Sequence, residues 1–231
     1  MKDVALMLIA SVSAILGAVI YVAALFLHPY LSDPSDIKAT LEVIAPSAVW
    51  VSAHLGFFIG SFLIAGGLLG VNRSVPSGHV AAWAQLGFVS VLISSALAAV
   101  LISIDGIATK ELAQAWVNSS GGENLAAFHS ARAVVEINHA IFSLWMFLFW
   151  GISFVLFGAA VILSEEHPVW LGWMFAVGGI GSASLGMIQA YNGPSVVVTN
   201  VLFPGFSVLT CIAMVVIGVR MWRGNCIVLG Q

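Results

Sequence analysis

Between His129 and His139 the chain reads "HSARAVVEINH", which brings two imidazoles, a guanidinium and a carboxylate together in one short stretch. At roughly 100° per residue, His129, Arg132, Glu136 and His139 fall within an arc of about 80° and make one stripe of a helix. Glu136 and His139 stand as E-x-x-H, the spacing by which helical bundles offer a carboxylate and an imidazole to one metal ion. With His54, Asp105 and His129 the set suits zinc, copper or iron. The expected ligands are therefore His54, Glu136, His139, His129 and Asp105. Around them Arg132 is expected to pair with a carboxylate, Asp105 or Glu136, and Gln189, Tyr191 and Asn192 to supply polar neighbours.

Two other arrangements use the same residues. A b-type haem fits between His54 and His139 on facing helices, with Arg132 on a propionate. The small residues "VGGIGSASLG" would leave room for a planar cofactor, although they suit close helix packing equally well. Without a cofactor, the stripe is a wet, ion-paired rim on a non-enzymatic subunit of a larger membrane complex. Single residues have plainer readings. His28, beside Pro29, reads as a solvated loop residue. His79 and His167 read as interfacial anchors, Met174 and Met187 as packing residues, and Gly56 with Gly60 as a close helix contact.

The elements that must hold these groups are set by composition. Of 231 residues, 61% are hydrophobic and 7% charged, and the mean hydropathy is +1.08. A soluble domain of this length cannot hide so much apolar surface, whereas lipid solvates it. Six segments are long enough to span a bilayer, at 4–27, 47–71, 80–103, 133–163, 168–190 and 197–221. Helices satisfy their own backbone in lipid, and the runs lack the alternation of a barrel. The first run is about twice as long as a signal-peptide core, so it reads as a retained helix. The expected fold is an all-α integral membrane protein, one polytopic domain over 1–231. It has six transmembrane helices, of which helices 2–5 form a central four-helix bundle.

Lys2, Arg73, Arg220 and Arg223 fall on one side of this plan, and Lys38, Lys110 and Arg132 on the other. The positive-inside rule then puts the N and C termini in the cytoplasm, and the reading places the chain in a bacterial or archaeal cytoplasmic membrane. The polar layer lies near the outer face. His54 is two turns into helix 2, Asp105 ends helix 3, and Gln189, Tyr191 and Asn192 end helix 5. Two connections should carry structure. Residues 28–46 read as a turn and a short amphipathic helix. Residues 104–126 read as a loop with an interfacial helix whose apolar face is Leu112, Ala115 and Trp116.

An internal repeat of 47–106 and 133–193 is suggested by matching offsets. His54, Phe57, Phe62 and Gly66 are spaced like His139, Phe142, Phe147 and Gly151. Such a duplication would set His54 and His139 facing each other near its axis.

Cys211 and Cys226 form no CxxC motif, and the net charge of −3 offers no patch for nucleic acid. Gly-rich nucleotide loops, nucleophile elbows and P-loops are missing. The expected partners are the lipid bilayer and either membrane proteins or further copies of the chain. The expected function is a membrane-embedded metal-binding protein, redox-active or hydrolytic, with its site near the outer face.

Overall fold

A helix in lipid must bond its own backbone, and long runs of Leu, Val, Ile and Ala allow this without loss of apolar surface. The structure is a computed structural model that describes residues 4–29 and 33–229, with side chains through 224. Lys2 and the side chain of Cys226 lie outside these. Six of the described helices are long and apolar enough to cross a membrane, and no strand occurs among the described residues. The chain is an integral membrane protein, and its exposed Ile9, Phe62, Leu92, Leu144 and Ile180 meet lipid.

The first span is α1 (Val4–Leu27). A short helix, α2 (Ile37–Ile44), precedes α3 (Trp50–Ser74) and α4 (His79–Ile102). The helix does not stop there. A π-helical segment, π1 (Ser103–Ala108), carries it straight into α5 (Thr109–Asn118). After a tight reversal α6 (Gly121–Trp145) runs back through π2 (Met146–Ser153) into α7 (Phe154–Leu163). The last spans are α8 (Val169–Asn192) and α9 (Phe203–Leu229), the latter entered through π3 (Val196–Leu202).

The loop expected at 104–126 is thus corrected to two helices that overrun their spans. Asp105, Lys110 and Glu111 lower the hydropathy there, but a charged helix outside the apolar layer still bonds its backbone. Its inward face also differs from the expected one. Ala113 and Trp116 are buried, Leu112 is half-buried and Ala115 is exposed.

The overrun makes a cap at this end of the bundle, opposite the termini. Leu41 and Ile44 of α2 join Trp50, Ala113, Trp116, Ala131 and Val135 in a small core separate from the main one. The Asp36 carboxylate starts α2 by accepting from the Ala39 N–H at 3.0 Å. Lys110 Nζ finishes it, donating to the carbonyls of Ile44, Ala45 and Ser47 at 2.9, 2.9 and 2.7 Å. A cation among the last carbonyls of a helix also meets its negative dipole end.

Within the membrane region each span touches the next, and α1 also meets α9, so the six close on one another. The first and sixth spans are packed into the bundle rather than flanking a central four. One of the close crossings is α1 on α3. A Cβ at Gly17 would lie 2.6 Å from the Ile64 nitrogen, and one at Gly60 would lie 2.8 Å from the Tyr21 nitrogen. Side chains are excluded and backbone meets backbone. The small residues of α8 are used in the same way, with Gly179 against Val155. Near the termini, buried His167 places Nε2 2.8 Å from the Ser74 hydroxyl, so it is an internal contact and not an interfacial anchor.

Candidate functional site

Asp105 could not reach His54 from a regular helix capped by a bulky neighbour. Two features bring it there. In π1 the turn is widened, and the freed carbonyls find other donors. Thr109 Oγ1 donates to the Ile104 carbonyl, and the Trp50 indole N–H donates to that of Asp105, both at 2.9 Å. Gly106 supplies the second feature, since a Cβ there would sit 2.6 Å from the His54 Cβ.

With these in place, His54 Nε2 stands 3.1 Å from Asp105 Oδ2. His54 Nδ1–H donates to the Trp50 carbonyl at 2.8 Å, and a carbonyl only accepts. The tautomer is therefore fixed, and Nε2 and Oδ2 hold one further proton between them.

Two groups attend this pair. The Asn138 side chain is buried and lies beside Asp105. The His28 ring lies 5.1 Å from that of His54 and 4.9 Å from that of Trp50. Its burial, with the neighbouring His54 charge, pushes it down to about 4. The reading of His28 as a solvated loop residue is corrected: α1 delivers it to the pair.

The pair, Asn138 and His28 line a cavity of about 200 Å³ to which all six spans contribute. His139 and Gln189 complete its polar end, and Thr40 and Ile44 of α2 lie across it. No hydrogen bond among the described residues reaches the His139 ring. The deeper end is aromatic, formed by Tyr21, Phe57, Phe142, Trp145 and Phe203. Three buried polar atoms on residues that line the cavity have no hydrogen-bond partner: Thr40 Oγ1, Asn138 Oδ1 and Trp145 Nε1. Each costs about 1–3 kcal/mol in a dry surrounding. All three are out of reach of a water molecule, so they lie within the cavity wall and not on its surface.

The expected site residues divide between two faces. His54, Asp105, His139 and Gln189 line the cavity. His129, Arg132 and Glu136 lie on the exposed face of α6, where Arg132 Nε donates to Glu136 Oε1 at 2.8 Å with both side chains more than half exposed. The expected Arg132–carboxylate pair exists, but on the surface and with Glu136, while Asp105 belongs to His54. Tyr191 is 82% exposed and Asn192 is exposed too. Among the described residues no three His, Cys, Asp or Glu side chains gather as a metal-ligand group.

Thr40, Asn138, Trp145 and His28 were not anticipated. A signal for two of them was present. Ala131, Val135, Asn138, Phe142 and Trp145 recur at steps of three and four, one position back from the charged stripe, and this is the face that turns inward. Comparisons with protein-family models, with curated proteins and with solved structures found no match to the chain.

Proposed function

We propose that this integral membrane protein binds a small amphipathic molecule in the cavity beneath α2. The observation that carries the reading is a space with one polar end, where Asp105, His139 and Gln189 lie, and one aromatic end, formed by Tyr21, Phe57, Phe142, Trp145 and Phe203. A cavity of roughly 150 Å³ lined by apolar side chains takes up benzene, so about 200 Å³ suits a molecule built on a single ring. Asp105 of the His54–Asp105 pair and His139 lie beside its polar head, and Phe57, Phe142 and Phe203 surround its body. The basic residues Arg73, Arg220 and Arg223 at the termini end favour cytoplasmic termini. The polar end of the cavity then opens near the outer leaflet.

A metal ion is the second reading, favoured by His54, Asp105 and His139 lining the same space. It would take the place of the proton between His54 and Asp105. The E-x-x-H pair would not serve it, because Glu136 faces outward and is bonded to Arg132.

One preparation tests both. Purified protein in detergent is melted with toluene, phenol and benzyl alcohol. The ring-binding reading expects stabilisation that rises with ligand concentration, about 2.7 kcal/mol at a hundredfold excess over Kd. It also expects the advantage of phenol over toluene to be lost in His139→Leu. No shift with any ring at its solubility limit overturns it. Stoichiometric metal in the same preparation, lost in His54→Ala, would establish the second reading instead.

A further inference from the structure

The polar end of the cavity presents a carboxylate without a basic side chain to offset it. Asp105 lines it, and no Lys, Arg or Glu does so among the described residues. The His54–Asp105 pair is neutral as a whole, because one proton lies between Nε2 and Oδ2, but it is oriented. The imidazole keeps 3% of its side-chain surface accessible and the Asp105 side chain 23%. A molecule in the cavity therefore meets the carboxylate, with the imidazole behind it. His54 takes up only Oδ2, and a carboxylate accepts from several donors at once.

The surroundings favour the same sign of ligand. Phe57 is half-buried, lines the cavity and has its ring 6.0 Å from that of His54. An aromatic ring thus stands near the polar end as well as at the deep end, and aromatic faces attract cations. His28 is held neutral at pH 7 by its burial, and His139 offers a ring-nitrogen lone pair when neutral. The nearby cations are occupied elsewhere, Lys110 by the carbonyls that end α2 and Arg132 by Glu136. Over 33–44, the segment lying across the cavity, Asp33, Asp36 and Glu42 are exposed against Lys38 alone. Such a field raises the local concentration of cations.

An anionic head would face the carboxylate with no Lys or Arg to offset it. An alcohol would satisfy it with one neutral hydrogen bond. An ammonium group brings three donors and a full charge, and its hydrogen bonds to a carboxylate are about twice as strong as neutral ones. Resting on the ring-binding reading above, we infer that the polar head of the ligand is a cation, donating to the Asp105 carboxylate while its ring lies among Phe57, Phe142 and Phe203. The class is aralkylammonium ions, a single ring joined to an amine by a short chain.

Calorimetric titration of the full chain at pH 7 in a non-ionic detergent with benzylamine, benzyl alcohol and benzoate tests the assignment. The three differ little in size and carry a positive, a neutral and a negative head. Benzylamine, present as the ammonium ion, should bind about five- to tenfold more tightly than benzyl alcohol, the gain of a charge-assisted over a neutral hydrogen bond. Benzoate should bind at least about tenfold more weakly than the alcohol, since it sets like charges together. In Asp105→Asn, which keeps the shape of the side chain, the ratio of benzylamine to benzyl alcohol should fall to about one. Equal binding of benzylamine and benzyl alcohol by the wild type, or tighter binding of benzoate, overturns the inference and leaves ring binding intact. A cation preference that persists in Asp105→Asn also overturns it. Absence of binding by all three overturns both it and the reading on which it rests. The wild-type series decides the matter even if the variant fails to fold.

Discussion

At the α1–α3 crossing, backbone lies on backbone, with Gly17 and Gly60 leaving no room for a Cβ. Within two turns of Gly60 along the same α3, about 200 Å³ of space opens, lined by His54 and Phe57. One region is made by removing side chains, the other by adding polar ones and widening helical turns at π1 and π3. The contrast shows how the two depend on each other. In lipid no hydrophobic force gathers helices, so close packing must do it. Only where the crossings are secured elsewhere can the cap end hold helices apart and keep buried polar atoms without partners.

Substitutions at the two ends should therefore fail in different ways. The largest effect belongs to the crossing. Gly17→Val forces side-chain atoms into the α3 backbone and should cost upward of about 3 kcal/mol, seen as loss of folded protein on size exclusion. Gly122→Ala, with nothing near its Cβ, should leave the protein intact. Next comes Asp105→Ala, which strands the His54 Nε2 in a buried position. It should lower stability in denaturant by about 2 kcal/mol and abolish ring binding, yet yield a folded bundle. Lys110→Met should cost about 1 kcal/mol or less, felt only by the cap. Hydrogen exchange should speed up over 37–44 while α1 and α3 keep their protection.

Smaller again is a pH effect at His28. Its folded form protonates near pH 4, against 6.5 ordinarily, so the unfolded chain binds the proton first as pH falls. Stability should be full above pH 6.5 and decline as the solution is acidified toward pH 4. In His28→Gln that stretch of the profile should be flatter, and an unchanged slope would remove His28 from the cavity wall. The smallest effect is Arg132→Ala. The ion pair with Glu136 is exposed and spaced i,i+4, so the change should stay within about 0.5 kcal/mol. A larger loss would mean the stripe is not merely surface.

The six spans could be read in the sequence because apolar length is a strong, local signal. Their overruns could not, since hydropathy falls wherever charges appear, whether or not the helix continues. Residues 104–118 are the example. Lys110 and Asp105 look like loop residues until their partners, three carbonyls of the α2 end and the His54 ring, come into view. Of the residues that type and depth single out as ligands or their polar neighbours, His54, Asp105, His139 and Gln189 are the ones that line the cavity. His129, Arg132 and Glu136 were expected beside them because charged residues stand out in an apolar chain. The structure turns that face outward and turns Val135 and Asn138 inward, because the cap core needs Ala131 and Val135 against Trp116. Thr40 and Trp145 resemble ordinary surface and packing residues in sequence, and only their lack of partners singles them out. The matching offsets also carry different duties. Phe57 and Phe142 both line the cavity, but Gly66 faces Ser13 of α1 whereas Gly151 faces Ala183 of α8.

The π segments have a consequence for how such a gene can vary. A π turn is an α-helix carrying surplus length, and in π1 the widened turn absorbs that surplus. Loss of a single codon between Ile104 and Ala108 would let the turn relax to regular α geometry and leave Ala113 and Trp116 close to their present phase on the cap core. The same loss at Lys110 or Glu111, in an α5 that holds no surplus, would rotate everything downstream by about 100°. Ala113 and Trp116 would then swing off the cap core together, although neither had been altered. Most point changes in α5 would perturb one contact each, whereas the place of a one-residue deletion decides whether the cap survives.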